Sequence, residues 1–147
     1  MLLAAAGRLR AVELGTLRTA PGTPHAERLW ALAEGVTAVL GRHTLSAAAV
    51  ESWFVHPVSR TAMAMAEARG AILAQIARAG VPVTEYSPNA IKSAVTGHGR
   101  ADKRQVRIMV TRLASADPGS DHAADALAAA ICHATGSPLR EAIRRAR

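Results

Sequence analysis

The sequence predicts an α/β domain with a largely parallel or mixed sheet flanked by helices. Strand-like and helix-like segments alternate along the chain. Half of its 147 residues are hydrophobic and only 20% are charged, which lies outside the charge-rich class that stays disordered. The length suits one compact domain with a buried core, and two independent domains are not expected.

Gly7 to Thr19 (GRLRAVELGTLRT) reads as strand material with Gly15 as a bulge. Thr23 is the expected N-cap of a helix with Pro24 at its first position, whose Leu29, Leu32, Val36 and Leu40 recur at helical spacing for core packing. Ser46 to Phe54 (SAAAVESWF) is a short apolar run of the kind that forms a buried central strand. Arg60 to Ala79 is a long Ala- and Met-rich helix closed by Gly80 at the C′ position. Val81 to Tyr86 is a further strand, and Ser87-Pro88 restarts a short helix through Lys92 to Val95. Thr96 to Arg100 (TGHGR) is a loop. Asp102, with Gln105 three residues on, forms a capping box for a helix to about Leu113. Beyond Asp117-Pro118-Gly119-Ser120, a last apolar helix runs from near Asp121 to about Ala134. Residues 1–136 are read as the domain and 137–147 as a basic tail, net +3 from four Arg against Glu141. No repeat at a fixed period is present.

Eighteen Lys and Arg against eleven Asp and Glu give a net charge of +7, a balance that favours a polyanion such as nucleic acid over an acidic small substrate. Cys132 is the single cysteine and lies in an apolar run. It excludes an internal disulfide and a cysteine zinc cluster, and a reducing, cytoplasmic location is expected. Met1 to Gly7 (MLLAAAG) is too short for a signal core, and no apolar stretch approaches the ~18 residues of a membrane span.

Three groups of residues suggest chemistry. Glu51 follows Ala47, Ala48, Ala49 and Val50 in a strand expected to be buried, where an acid costs desolvation unless a cation or hydrogen bonds compensate. It reads as a metal ligand or as a residue that emerges into a loop. His122 and Asp125 are three apart, share a helix face and can reach one ion. Asp125 interrupts a run of Ala, Leu and Ile that otherwise looks buried, which favours a functional acid over one on a solvated edge. Asp121 reads as a helix cap. The third group is basic: Lys92, Arg100, Lys103, Arg104, Arg107 and Arg112 face only Asp102 over residues 92–112, net +5. They are candidate phosphate contacts, with a solvated face the better reading for Arg104, Arg107 and Arg112. Both lysines of the chain lie here among sixteen arginines, which suggests a compact charge at a phosphate. Trp53 and Phe54 point to opposite strand faces, so one packs while the other is free to stack on a base or a partner. His98, between two glycines, reads as an exposed loop residue.

The order AVESWF, EYSPNAIKSAVTGHGRADKRQV and DHAADALAAAICH resembles the RuvC family of Holliday-junction resolvases, the crossover junction endodeoxyribonucleases, from Gly7 to about His133. The lysine-to-TGHGRADK block and the last helix are the specific parts. The resemblance implies a ribonuclease-H-like fold with a five-stranded mixed sheet, and a homodimer whose two sites face the two strands to be nicked. It implies a four-way DNA junction as substrate and the branch-migration proteins RuvA and RuvB as partners. It also implies four metal-binding positions around a pair of Mg²⁺ or Mn²⁺ ions. Glu51 matches the second, His122 the third and Asp125 the fourth. Lys92 and Lys103 match the two lysines near the scissile phosphate, and Phe54 matches an aromatic that stacks at the junction centre.

One departure stands out. The family's first metal-binding aspartate ends the first strand in a GIDPG-like turn, whereas no aspartate precedes Asp102 here. The chain starts with segments resembling the second and third strands, so a strand and turn of about ten to twenty residues are expected to be absent. A late start, a degenerate gene, a fragment or a replacement acid would each account for this; Glu13 is the nearby acid, on an unsuited strand. Low stability and impaired catalysis are then expected. The expected function is metal-assisted phosphodiester hydrolysis, leaving paired symmetric nicks in recombination and DNA repair. The His122 imidazole favours Mn²⁺ over Mg²⁺. A junction-binding protein without nuclease activity and a generic α/β domain with structural acids are the competing readings.

Overall fold

The computed structural model describes residues 2–5, 9–52 and 59–145, with side chains described over 9–52 and 59–136. In chain order these residues form β1 (Leu2–Ala5), β2 (Leu9–Glu13), α1 (His25–Arg42), β3 (Ala48–Glu51), α2 (Arg60–Arg78), β4 (Val83–Tyr86), α3 (Pro88–Thr96), α4 (Lys103–Ala114) and α5 (Asp121–Arg145). The α/β class stands. The chain packs as two compact units, one of Met1–Thr16, Ala49–Ser52 and Thr84–Arg147, the other of Leu17–Ala48 and Trp53–Val83.

In the first unit, β1 and β2 are antiparallel, with Leu3 opposite Ala11 and Ala5 opposite Leu9. The sequence starts its strand at Gly7 and places a bulge at Gly15. Instead Leu2–Ala5 is itself a strand, the register shift falls between Leu2 and Leu3, and Gly15 lies beyond the end of β2. Short apolar MLLAAAG carries no alternation to mark it, whereas Leu9, Ala11 and Glu13 alternate with exposed Arg10 and Val12. The β3–β4 pair is parallel, since the Ala48 N–H donates to Pro82 O at 2.8 Å and the Ser52 N–H to Tyr86 O at 2.7 Å. Parallel pairing needs a crossover, and the chain between the two strands contains α2. Among the described residues the strands thus form one antiparallel and one parallel pair rather than one five-stranded sheet.

Three helices build the core of this unit. Ala124, Leu127, Ala128 and Ile131 recur along α5 at spacings of three and four and face Ile91 and Val95 of α3 and Val106 and Val110 of α4. Leu127 and Ile131 are 0% exposed. Leu9 and Ala11 of β2, Leu14 just past its end and Ala49 of β3 close the core on the other side.

Helix starts follow side-chain caps. Ser87 Oγ accepts the Ala90 N–H at 3.2 Å ahead of Pro88. Asp102 and Gln105 form the expected box, with the Gln105 N–H on Asp102 Oδ1 at 2.8 Å and the Asp102 N–H on Gln105 Oε1 at 3.0 Å. At α5 the cap is Ser120, whose Oγ accepts the Ala123 N–H at 3.2 Å, and not Asp121. The last helix runs to Arg145 instead of ending near Ala134. Gly136 and Pro138 are poor helix formers, but the residues from Leu139 are good ones and the helix continues through them.

The second unit pairs α1 with α2. Leu29, Leu32, Val36 and Leu40 are half-buried, as their spacing requires. Thr37 Oγ1 donates to Gln75 Oε1 at 3.2 Å, and His25 bonds Glu67. Thr23 is not the cap of α1: its hydroxyl turns back to Ala20 O at 2.9 Å, and Pro24 takes the N-cap position with no side-chain bond. Ser59 caps α2 through the Ala62 N–H at 3.1 Å, and Gly80 follows its end at φ +69°.

Two substitutions grade these contributions. Leu127→Ala is expected to cost about 2–5 kcal/mol because the cavity forms where α5 meets the core, and Asp102→Ala about 1 kcal/mol through the lost cap. Urea unfolding followed by circular dichroism reads both.

Candidate active site

Once Leu127 and Ile131 turn into the core, α5 has a second stripe to offer. His122, Asp125, Ala126 and Ala129 share it by helical spacing. This stripe meets the end of β3, and Ala49, Val50, Glu51, His122, Asp125, Ala126 and Ala129 line a groove of about 320 Å³. The three candidate metal ligands read from the sequence therefore converge. Ala126 and Ala129, not singled out from the sequence, keep the stripe open because their side chains are short.

Neither acid is buried in the way the apolar runs around it predict. Glu51 and Asp125 are both exposed, as is His122. Glu51 is the last residue of β3, where the strand emerges, and Asp125 lies off the buried stripe of α5. Among the described residues, no three His, Cys, Asp or Glu side chains are close enough to hold one metal ion. The electrostatics still single out Glu51. Partial desolvation, then repulsion from the Asp125 carboxylate, push its carboxyl above the usual range, and the Lys92 ammonium opposes them. Two carboxylates and an imidazole around one groove are donors that suit a divalent cation, and the mutual repulsion of the acids is what such a cation relieves.

The basic residues divide. Lys92, in the second turn of α3, is half-buried and acts on Glu51. Lys103 is the first residue of α4; with Arg100 and Arg104 it is exposed and outside the groove lining. The loop before it is well braced, with Thr96 Oγ1 accepting the His98 N–H at 3.2 Å and donating to Lys92 O at 2.8 Å, and with Gly97 at φ +79°. Arg107 is engaged elsewhere: Nη1 donates to Asp121 Oδ1 at 3.3 Å and Nη2 to Asp117 Oδ1 at 3.4 Å. Asp117 is held below the usual carboxylate range, first by the Gly119 N–H and then by Arg107. Glu13 is half-buried at the end of β2 and does not line the groove. Trp53 and Phe54 lie outside the described residues.

The profile of "Crossover junction endodeoxyribonuclease RuvC" matches residues 1–133. The chain belongs to the RuvC family. The RuvC of Chloroflexus aurantiacus is 47% identical over 134 residues, covering 90% of this chain and 82% of the relative. That of Pelotomaculum thermopropionicum is 47% identical over 132 residues, covering 88% and 80%. The fold agrees. Thermus thermophilus RuvC superposes with a TM-score of 0.83 at 34% identity, over 93% of this chain and 86% of that one. The same organism's RuvC in complex with a Holliday junction substrate gives 0.82 at 36% identity, over 90% and 82%. The ribonuclease-H-like fold implied by the RuvC resemblance is thereby established. No described helix is long and apolar enough to cross a membrane.

The raised Glu51 carboxyl has a pH consequence. A folded-state value above the unfolded one means that the native chain holds this proton more tightly, so Glu51 favours folding at low pH and loses that contribution as pH rises. Near pH 7, Glu51→Gln is expected to raise the unfolding midpoint of the metal-free chain. The advantage should vanish below about pH 4, where the carboxyl is protonated in both states. Thermal melts in EDTA across this range measure it.

Proposed function

We propose that this chain is a metal-dependent endonuclease that resolves Holliday junctions by paired symmetric nicks in homologous recombination and DNA repair. The observation that carries the reading is the groove: Glu51, His122 and Asp125, from two separated segments, line one opening in a RuvC-family chain. Glu51, His122 and Asp125 are the metal ligands. A pair of Mg²⁺ or Mn²⁺ ions, when bound, would supply activated water and charge stabilisation of the leaving oxygen. The chain's own groups bind and orient. Lys92, beside Glu51, offsets the negative charge of the scissile phosphate. Lys103, Arg100 and Arg104 neutralise phosphates along the exposed start of α4, and Phe54 stacks at the junction centre. Residues 1–136 serve as the nuclease domain and 137–147 as a basic appendage.

A four-way junction needs two sites, so the acting form is a homodimer. RuvA and RuvB are the expected protein partners.

The lack of a three-donor group among the described residues favours a second reading, junction binding without nicking. One experiment separates the two: a labelled synthetic four-way junction and a matched linear duplex are incubated with the chain in Mn²⁺ and in Mg²⁺. Symmetric junction-specific nicks that Glu51→Gln and Asp125→Asn abolish support the nuclease; selective binding with intact strands supports the second reading. The His122 imidazole should make Mn²⁺ the better ion, and an equal or higher rate in Mg²⁺ would overturn that assignment. Replacing Lys103 or Arg104 by Ala should weaken binding across sequences and lower the slope of log K against log salt by about one per residue.

A further inference from the structure

Apolar packing alone leaves the setting of α5 loosely specified where the groove is built. Ala49, Ala126 and Ala129 are small and carry no directional bond in their side chains. A shift of α5 by one residue moves it ~1.5 Å along its axis and turns a given side chain by about 100°. Either change carries His122 and Asp125 away from Glu51. Something directional is needed.

Tyr86 and His133 meet that need. Tyr86 ends β4 and is 5% exposed, and its hydroxyl is hydrogen-bonded to His133 Nδ1 at 2.9 Å. The two rings meet edge to face, with centroids 6.0 Å apart at 75°. A buried tyrosine hydroxyl requires a partner, so this contact is strongly specified. On the other side, the Tyr86 carbonyl accepts the Ser52 N–H at 2.7 Å, and Ser52 is the residue after Glu51. His133 lies one turn beyond Ala129 and two beyond Asp125 on the stripe of α5 that faces the groove. Tyr86 thus joins the strand end that presents Glu51 to the helix stripe that presents Asp125 and His122. It also precedes Ser87, the cap of α3, the helix that carries Lys92.

We propose that Tyr86 and His133 are a positioning pair that sets the register and rotation of α5 against β3, so that Glu51, His122 and Asp125 line the same groove. This rests on the assignment of those three residues as ligands. The pair touches neither substrate nor ion. Its effect is on how well the donors are prearranged, as for groups that orient metal ligands from behind.

The test uses the full chain and Mn²⁺ alone as the probe. Free Mn²⁺ is followed by electron paramagnetic resonance at a temperature where circular dichroism shows every variant folded. Tyr86→Phe keeps the ring and removes the hydroxyl, and is expected to weaken Mn²⁺ binding about tenfold. Junction binding in EDTA should remain within twofold. His133→Gln, whose amide can still meet the Tyr86 hydroxyl, should recover most of the affinity, whereas His133→Leu should match Tyr86→Phe. A role in stability alone would lower the melting midpoint of these variants and leave Mn²⁺ affinity unchanged. Glu51→Gln is the reference. If it weakens Mn²⁺ binding while both Tyr86→Phe and His133→Leu bind within twofold of the unaltered chain, the positioning role is overturned. If Glu51→Gln itself binds Mn²⁺ normally, the ligand assignment fails and the positioning role with it.

Discussion

The burial of Leu127 and Ile131 is the constraint on which the rest of the first unit depends. Both side chains are fully withdrawn from water among α3, α4 and the strands, and residues four apart decide which side of a helix faces the core while leaving its finer register and rotation to directional contacts. The groove stripe is then a geometric remainder. His122, Asp125, Ala126 and Ala129 fall on it because Ala124, Leu127, Ala128 and Ile131 occupy the other side. Function on this helix is arranged by its hydrophobic pattern, with polar residues placed where the core does not need them.

Electrostatics works against that arrangement. Partial desolvation and then Asp125 raise the proton affinity of Glu51, and Lys92 only partly offsets them. A chain selected for stability alone has no reason to bring two acids to one groove, since like charges and lost hydration both count against folding. Strain of this kind is characteristic of sites that bind charge. Elsewhere the acids are used conventionally: Asp117 and Asp121 share Arg107, and Asp102 caps α4.

Much of this was legible in the residues, for reasons that differ from place to place. The box of Asp102 and Gln105, the Ser87-Pro88 start and the Gly80 stop are local chemistry, and local chemistry reads directly. Glu51, His122 and Asp125, which the sequence singles out partly for burial, do line one groove, but not because they are buried. An acid in a run of Ala and Leu looks buried when helix faces are not resolved, and Asp125 is exposed. Asp121 looked like a cap because Ser120 beside it is an equally good one. The β1 strand was missed because four apolar residues carry no period to separate strand from helix. The Tyr86–His133 bond was hidden for a stronger reason: nothing local links residues so far apart, and only the packing of α5 brings them together.

The parallel pairing of β3 with β4 has a consequence for when the groove can exist. The bonds from the Ala48 N–H to Pro82 O and from the Ser52 N–H to Tyr86 O join residues on opposite sides of the whole of α2. Glu51 therefore leaves the ribosome well before the strand that will hold its backbone, and Asp125 emerges later still. Non-local closures of this sort are formed late and are costly in chain entropy. During synthesis the acids spend their early life solvated and apart, and their mutual repulsion is imposed only after most of the chain has been made.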